Sequence, residues 1–205
     1  MKTGLIIFIR NPVIGKVKTR LAKTIGNEKA LQVYKLLLQH THDITMELDC
    51  DKFLYYSDYI DELDGWKLET FRKRLQHDGE LGERMSKAFT ELFQEGYQRL
   101  LIIGSDCLEL DGQLIRSAFN KLDKRDVVIG PSADGGYYLL GISTANLPLL
   151  FQNKSWGSSS VLAKTINELV ASNCNFELLK VLNDVDEEKD LPASLLSQIN
   201  LEGGP

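Results

Sequence analysis

Cysteine and histidine are scarce in this chain of 205 residues, and their spacing suggests neither a zinc site nor a disulfide framework. The three cysteines, Cys50, Cys107 and Cys174, lie far apart and form no C-x-x-C pair. His40 and His42 are two residues apart, so on a helix they would point to different faces and could not share a metal ion. Any chemistry is therefore expected to depend on carboxylates and cationic side chains.

Long hydrophobic runs and an excess of positive charge are also missing. The first apolar run, residues 5–9, is too short for a signal-peptide core or a membrane span, and no other run is long enough either. Together with the few cysteines, this predicts a cytoplasmic protein. The 24 Lys and Arg against 29 Asp and Glu give a net charge of −5, which argues against a protein that grips nucleic acid. A local basic patch remains compatible with a small phosphorylated ligand.

What the chain does contain is a regular alternation of short apolar runs and amphipathic patterns. Strands are predicted at residues 5–9, 53–56, 100–103, 127–129, 137–142 and 176–182. Helices are predicted to begin near Asn27, to end at Gly96, to cover 114–122 and to start within 158–160. This alternation predicts one α/β domain over residues 1–205, a three-layer α/β/α sandwich with a mostly parallel central sheet.

The apolar run at residues 100–103 ends abruptly in Gly104-Ser105-Asp106-Cys107. Ligands bind at the carboxyl ends of strands in open α/β sheets, and a carboxylate there can hold a hard cation such as Mg²⁺. An equally simple interpretation is that Asp106 only caps the next helix. Cys107 is interpreted as a small buried residue, because no histidine is placed to activate it as a nucleophile.

A basic loop follows the first predicted strand. Loops in this position hold phosphates in many α/β proteins, so phosphate binding is preferred here over a plain solvated loop. The loop matches neither the Walker A pattern nor G-x-G-x-x-G. Its candidate ligands are Arg10, Gly15, Lys16, Lys18 and Arg20.

Three further stretches carry candidate residues. The Asp134-Gly135-Gly136 turn is compatible with both a hairpin and a ligand-facing loop. Asp184 and Asp186 are either acids at a helix start or a source of a second carboxylate for a metal held by Asp106. Residues 77–84 are either a substrate-facing loop or a plain helix start.

Taken in order, these segments resemble one family of bacterial transferases with a nucleotide-diphospho-sugar transferase (GT-A-like) fold, described as radical-SAM-associated glycosyltransferases. The pattern is more distantly similar to the 2-phospholactate and molybdenum-cofactor guanylyltransferases. The matching stretches are Pro12-x-x-Gly15-Lys16-Val17-Lys18-Thr19-Arg20-Leu21, Gly79-x-Leu81-Gly82-Glu83-Arg84-Met85, Gly104-Ser105-Asp106-Cys107, Gly130-Pro131 with Asp134-Gly135-Gly136-Tyr137-Tyr138, and Asp184-Val185-Asp186 with Asp190-Leu191.

The resemblance implies a transferase that depends on Mg²⁺ or Mn²⁺ and acts between an activated nucleotide and a small-molecule acceptor. A nucleotide-sugar-dependent glycosyltransferase is the first expectation. The alternatives are a guanylyltransferase-like enzyme that releases pyrophosphate from a nucleoside triphosphate, and a non-catalytic nucleotide-binding module.

The resemblance also implies roles for individual residues. The basic loop would hold the nucleotide phosphates, Asp106 and Asp186 would bind the metal, and Asp106 and Asp134 would be catalytic. The implied substrate-binding residues are Gly82, Arg84, Gly135 and Gly136. Two stretches depart from the family pattern: Leu108 stands where proline is usual, and Ser158-Ser159-Ser160 differs from the usual Trp-Ser-Thr-Pro.

Overall fold

The computed structural model describes residues 1–143, 148–152 and 154–201. Within these ranges the strands are β1 (Thr3–Ile9), β2 (Asp51–Tyr56), β3 (Phe71–Leu75), β4 (Arg99–Ile103), β5 (Val127–Pro131), β6 (Tyr137–Ile142) and β7 (Phe176–Leu178). The α-helices are α1 (Thr19–Ile25), α2 (Asn27–Met46), α3 (Leu81–Gln94), α4 (Gly112–Lys121), α5 (Val161–Ala171) and α6 (Ala193–Leu201). Short 3₁₀ helices cover Pro148–Phe151 and Glu188–Asp190.

The strands form one sheet in the order β3-β2-β1-β4-β6-β5-β7. All neighbouring pairs are parallel except those of β6, which runs antiparallel to both β4 and β5. The carboxyl ends of the parallel strands therefore share one edge of the sheet. The β5–β6 turn reaches the same edge, because β6 begins where β5 ends.

Helices cover both faces of the sheet, which confirms the predicted three-layer α/β sandwich with a mostly parallel sheet. On β4, Leu101 and Ile103 pack in the layer that contains residues of α2 and α4. Leu100 and Ile102 pack on the opposite face with residues of α3 and α5. Strands buried on both faces explain why the apolar runs are continuous rather than alternating.

The sequence-based prediction missed β3 and the short helix α1, offered the start of α6 only as one interpretation of the acidic stretch near Asp186, and extended the last strand too far. The central residues of β3 are Arg72, Lys73 and Arg74, a charged pattern that suits an edge strand and hides it from a search for apolar runs. The predicted strand at 176–182 ends at Leu178, beyond which Leu182 forms a single bridge to Ser132.

Leu108, which departs from the family pattern, packs against an apolar cluster contributed mainly by α1, α2 and α6. Its side chain therefore has a packing role after the β4 turn. Ser158-Ser159-Ser160 lead into α5, and Ser160 is the N-cap residue of that helix. Among the helices of the described ranges, none combines the length and apolar character that a bilayer crossing requires.

Replacing Leu101 by Ala is expected to lower the free energy of unfolding by about 2–5 kcal/mol, because it leaves a cavity beneath the central strand. Leu101 is fully buried and lies against the backbone of Gly141. The measurement is urea unfolding followed by circular dichroism. The matched control, Leu63→Ala, removes a side chain that is 97% exposed and should change stability by less than about 0.5 kcal/mol. Equal effects of the two substitutions would contradict this description of the core.

Candidate active site

A cleft of about 1030 Å³ opens at the carboxyl edge of the sheet. Its walls come from the loops after β1, β3, β4 and β5, from residues 154–158, and from the loop after β7. The charged residues that line it are Arg10, Lys18, Arg20, Glu80, Arg84, Asp106, Asp134, Lys154, Asp184 and Asp186.

The ammonium group of Lys18 lies between two carboxylates. Lys18 Nζ is 2.6 Å from Oδ1 of Asp106 and 3.2 Å from Oδ1 of Asp186. The Lys18 side chain is only 5% exposed, so the ion pairs are shielded from bulk water on the lysine side. Arg20 adds a longer contact, 3.5 Å from Nη1 to Oδ2 of Asp186. The cluster of Lys18, Asp106 and Asp186 joins three loops through charge.

The backbone of Lys18 is in the left-handed region, with φ of 46°, at the N-cap of α1. A non-glycine residue rarely adopts this conformation, and such strain often marks functional sites. Here it accompanies a buried ammonium group that is directed at Asp106. The conformation of the loop thus places a cation against the turn after β4.

Tyr34 holds the start of the same loop in place. Its hydroxyl accepts a hydrogen bond from the backbone N–H of Arg10 (2.8 Å), donates to the Arg10 carbonyl (3.1 Å) and contacts Oγ of Ser105 (3.2 Å). Burial, and then the charge of Asp106, raise the pKa of Tyr34. The hydroxyl therefore stays protonated and links α2 to the loops after β1 and β4.

The acidic loop after β7 is fastened to the same edge. The N–H of Val185 donates to the carbonyl of Asp106 (2.9 Å), and Asp184 accepts a hydrogen bond from Oγ of Ser132 (2.8 Å). The backbone N–H of Asp186 donates to Oδ2 of Asp190 (3.2 Å), which shapes the turn. These contacts bring Asp184 and Asp186 beside the turn after β4.

Burial is the main reason why the pKa of Asp184 is raised from 3.8 to about 6, and the charges of Asp106 and Asp134 raise it further. The hydrogen bond from Ser132 acts in the opposite direction. Negative charge is therefore crowded at this edge of the sheet, next to the ammonium group of Lys18.

Asp106 and Asp186 supply the oxygen ligands that a hard cation prefers, and both already contact one cationic nitrogen. Within residues 1–143, 148–152 and 154–201, no group of three or more His, Cys, Asp or Glu side chains is arranged to hold a metal. If a divalent cation binds here, Asp106 and Asp186 are the carboxylates that would hold it, and water and substrate oxygens would have to supply the other ligands, as is usual for Mg²⁺.

The Asp134 turn connects β5 to β6, so the hairpin interpretation is correct. Oδ1 of Asp134 accepts a hydrogen bond from the N–H of Gly136 (2.9 Å), and both residues line the cleft. Gly135 has φ of 89°, and a Cβ on it would be 2.2 Å from the carbonyl oxygen of Ser159. Glycine is therefore required where this turn passes close to the start of α5.

The structure brings most of the predicted site residues to one cleft but leaves some outside its lining. Those that line it are Arg10, Lys18, Arg20, Arg84, Asp106, Asp134, Gly136 and Asp186. Gly15 and Lys16 lie exposed at the tip of the basic loop, where Gly15 has φ of 75°. Gly82 packs beneath Trp156, with its hypothetical Cβ 2.1 Å from Nε1, and Gly135 packs against Ser159. The positions of these four residues suit turn formation and close packing.

Sequence reasoning missed several residues of the cleft. Gln76 is buried and hydrogen-bonds the carbonyls of Ile9 (3.0 Å) and Tyr55 (3.1 Å). Lys154 has a fully buried side chain that pairs with Glu168. Gln76 directly follows β3, so recognising that strand would have pointed to it. An isolated lysine such as Lys154 carries no comparable signal.

Residues 40–158 match the family model described as "Uncharacterized protein conserved in bacteria (DUF2064)". The whole chain is similar to a solved structure, "putative nucleotide-diphospho-sugar transferase" from Desulfovibrio desulfuricans G20. The two are 28% identical with a TM-score of 0.86, and the match covers 98% of this chain and 96% of that one. No curated protein matches the chain.

Two cytidylyltransferase-type structures share the fold at low identity. A cytidylyltransferase from Leptospira borgpetersenii serovar Hardjo-bovis is 12% identical, with a TM-score of 0.56 and coverage of 98% and 95%. The 4-diphosphocytidyl-2C-methyl-D-erythritol synthase of Anaerococcus prevotii is 10% identical, with a TM-score of 0.53 and coverage of 99% of both chains. With the Desulfovibrio protein, they confirm the predicted nucleotide-diphospho-sugar transferase fold.

Replacing Asp184 by Asn is expected to stabilise the metal-free protein increasingly between about pH 4 and pH 6. The raised pKa means that the folded state binds the Asp184 proton more tightly than the unfolded state, so the wild type loses stability as pH rises through this window. Asn carries no charge and avoids this loss, which amounts to at most about 3 kcal/mol above pH 6. Urea unfolding in EDTA at several pH values measures the difference. A difference that does not change with pH would contradict the assigned burial of Asp184.

Proposed function

The chain belongs to the DUF2064 family of bacterial proteins, and from this premise we propose that it is a divalent-metal-dependent transferase that acts on an activated nucleotide. The donor is a nucleotide sugar and the acceptor is a small molecule. The acceptor attacks the anomeric carbon of the sugar, and the nucleoside diphosphate leaves. The observation that carries the proposal is the Lys18–Asp106–Asp186 cluster at the carboxyl edge of the sheet.

Asp106 and Asp186 would hold Mg²⁺ or Mn²⁺, which when bound neutralises charge that develops on a diphosphate leaving group. Lys18 and Arg20 place two cations at the same point, where they stabilise phosphate oxygens by charge-assisted hydrogen bonds. The exposed Asp134 orients or deprotonates the acceptor hydroxyl from the β5–β6 turn. Each of these groups lines one cleft, so donor and acceptor can meet there.

The printed name of the Desulfovibrio protein supports a nucleotide-sugar donor, since the similarity extends over nearly the whole of both chains. One observation favours a second candidate, nucleotidyl transfer from a nucleoside triphosphate. Arg10 and Arg84 add positive charge to the cleft beyond that of Lys18 and Arg20, and a triphosphate carries more negative charge than a sugar diphosphate. The acidic residues that a non-catalytic binding module would be expected to lose are all retained.

Replacing Asp106 by Asn is expected to lower metal-dependent turnover at least about 100-fold while leaving the far-ultraviolet circular dichroism unchanged, because one of the two carboxylates that bind the metal is lost. The matched control is Asp111→Asn, outside the cleft. Asp111 caps α4 by accepting a hydrogen bond from the N–H of Leu114 (2.7 Å), and Asn caps helices about as well as Asp, so this change should leave both stability and turnover close to wild type. Full activity of the Asp106 variant would overturn the assignment.

The two candidate reactions predict different donors and products. A nucleotide sugar at 100 times the Kd that it has in Mn²⁺ should raise the free energy of unfolding by about 2.7 kcal/mol, and the same concentration should raise it less in EDTA. A thermal-shift panel of nucleotide sugars and nucleoside triphosphates measures this. Release of pyrophosphate from a triphosphate, with no turnover of any nucleotide sugar, would replace the first candidate by the second.

A further inference from the structure

The cationic residues of the cleft differ in whether a carboxylate neutralises them. Lys18 contacts Asp106 and Asp186, Arg20 also contacts Asp186, and Lys154 pairs with Glu168. In contrast, neither Arg10 nor Arg84 has a carboxylate within 4 Å in the part of the chain that the structure describes. Both line the cleft, which therefore contains two guanidinium groups without an acidic partner.

We propose that Arg10 and Arg84, positioned by Gln76, form a second anion-binding site, which takes a phosphate or carboxylate group of a substrate. The inference rests on the proposed function and adds to it a chemical requirement. One substrate must carry an oxyanion besides the phosphate held by the Lys18–Asp106–Asp186 cluster.

Arg84 is held in place by a neutral partner that leaves its charge uncompensated. Its Nη1 donates to Oε1 of Gln76 (2.8 Å), whose amide nitrogen is bound to the carbonyls of Ile9 and Tyr55. The Nε–H of Arg84 is buried and has no acceptor among the described residues. A buried donor without an acceptor costs free energy, and the hydrogen bond to Gln76 means that an arriving oxyanion finds the guanidinium group at the cleft already oriented.

Arg10 is brought to the same place by the chain itself. It directly follows Ile9, whose carbonyl accepts the hydrogen bond from Gln76, and its backbone is held on both sides by the Tyr34 hydroxyl. Burial, and then the charge of Arg10, lower the pKa of Arg84, as expected for two like charges in proximity. An oxyanion bound by both would relieve this repulsion, and the planar guanidinium group suits phosphate and carboxylate groups.

The competing interpretation is that Arg84 only supports Gln76 and that Arg10 is a solvated surface residue. Support for Gln76 needs the hydrogen bond from Nη1 but no free cation. The competing interpretation does not explain why the cleft contains a second arginine that is not paired with a carboxylate of the described residues. The two interpretations differ in one measurable property, which is the binding of small anions in the absence of metal.

The test uses the metal-free protein in EDTA and the variants Arg84→Gln, Arg10→Gln and their combination. Binding of inorganic phosphate and acetate is measured by thermal stabilisation. Binding of uridine, cytidine and guanosine di- and triphosphates is measured by calorimetry. Arg116→Gln is the matched control, because Arg116 is exposed on α4 and does not line the cleft. Arg84→Lys keeps the charge but loses the planar fork, so it should retain part of the binding.

If the oxyanion belongs to the nucleotide, Arg84→Gln should weaken nucleotide binding at least about tenfold. If it belongs to the acceptor, nucleotide affinity should stay within about twofold of wild type, while phosphate or acetate binding to the nucleotide-saturated protein should fall at least about tenfold. Either result supports the site.

If the double variant binds every probe as tightly as Arg116→Gln does, the proposed anion site is overturned. Circular dichroism of each variant identifies any that fails to fold, and the individual substitutions and Arg84→Lys then provide the comparison. Because no metal is present, this failure would leave the proposed function standing, whereas full activity of Asp106→Asn would overturn that function alone.

Discussion

The contact on which the rest of the site depends is the ion pair between the Lys18 ammonium and the Asp106 and Asp186 carboxylates. Lys18 and Asp186 are 168 residues apart in the chain, and Asp106 comes from a third loop. A buried ammonium without partners would be costly, and so would carboxylates crowded at one edge without a cation. The shared charge therefore makes it possible for three loops to meet, and the hydrogen bond between Val185 and the Asp106 carbonyl strengthens the same meeting point.

The sheet topology decides which loops can take part. Because β1 and β4 are adjacent and parallel, the basic loop and the Asp106 turn leave the sheet side by side. Because β6 runs antiparallel to β5, a short turn joins the two strands at this edge and places Asp134 there. A parallel connection between them would need a long crossover segment instead. The order of the strands thus places loops that are far apart in the chain beside one another. The side chains of those loops determine the chemistry of the site.

The fold was predictable where the physics is local. Buried strands such as β1 and β4 are continuous apolar runs, whereas β3 is hidden by Arg72, Lys73 and Arg74, since an edge strand need not be apolar. In the site, Asp106 and Lys18 were identified by their positions after strands. Their direct pairing was not predicted, because it depends on the tertiary packing of separate loops. Gln76 was not predicted because it follows the hidden strand β3, and its hydrogen bonds to the carbonyls of Ile9 and Tyr55 likewise depend on tertiary packing.

The distribution of charge separates two tasks within the cleft. Lys18 is already neutralised by carboxylates, so in the metal-free protein this pairing holds the loops together and contributes little net attraction for an anion. Among the described residues, neither Arg10 nor Arg84 has such a partner. A hydrogen bond to the neutral Gln76 orients the Arg84 guanidinium group, and the Tyr34 hydroxyl holds only the backbone of Arg10, so neither charge is cancelled. Among the described residues that line the cleft, five cationic side chains match five acidic ones, so in this chain with a net charge of −5 positive charge is left uncompensated only locally, at Arg10 and Arg84. Fields in a cleft depend on this local balance, so an overall acidic protein can still attract an anionic substrate.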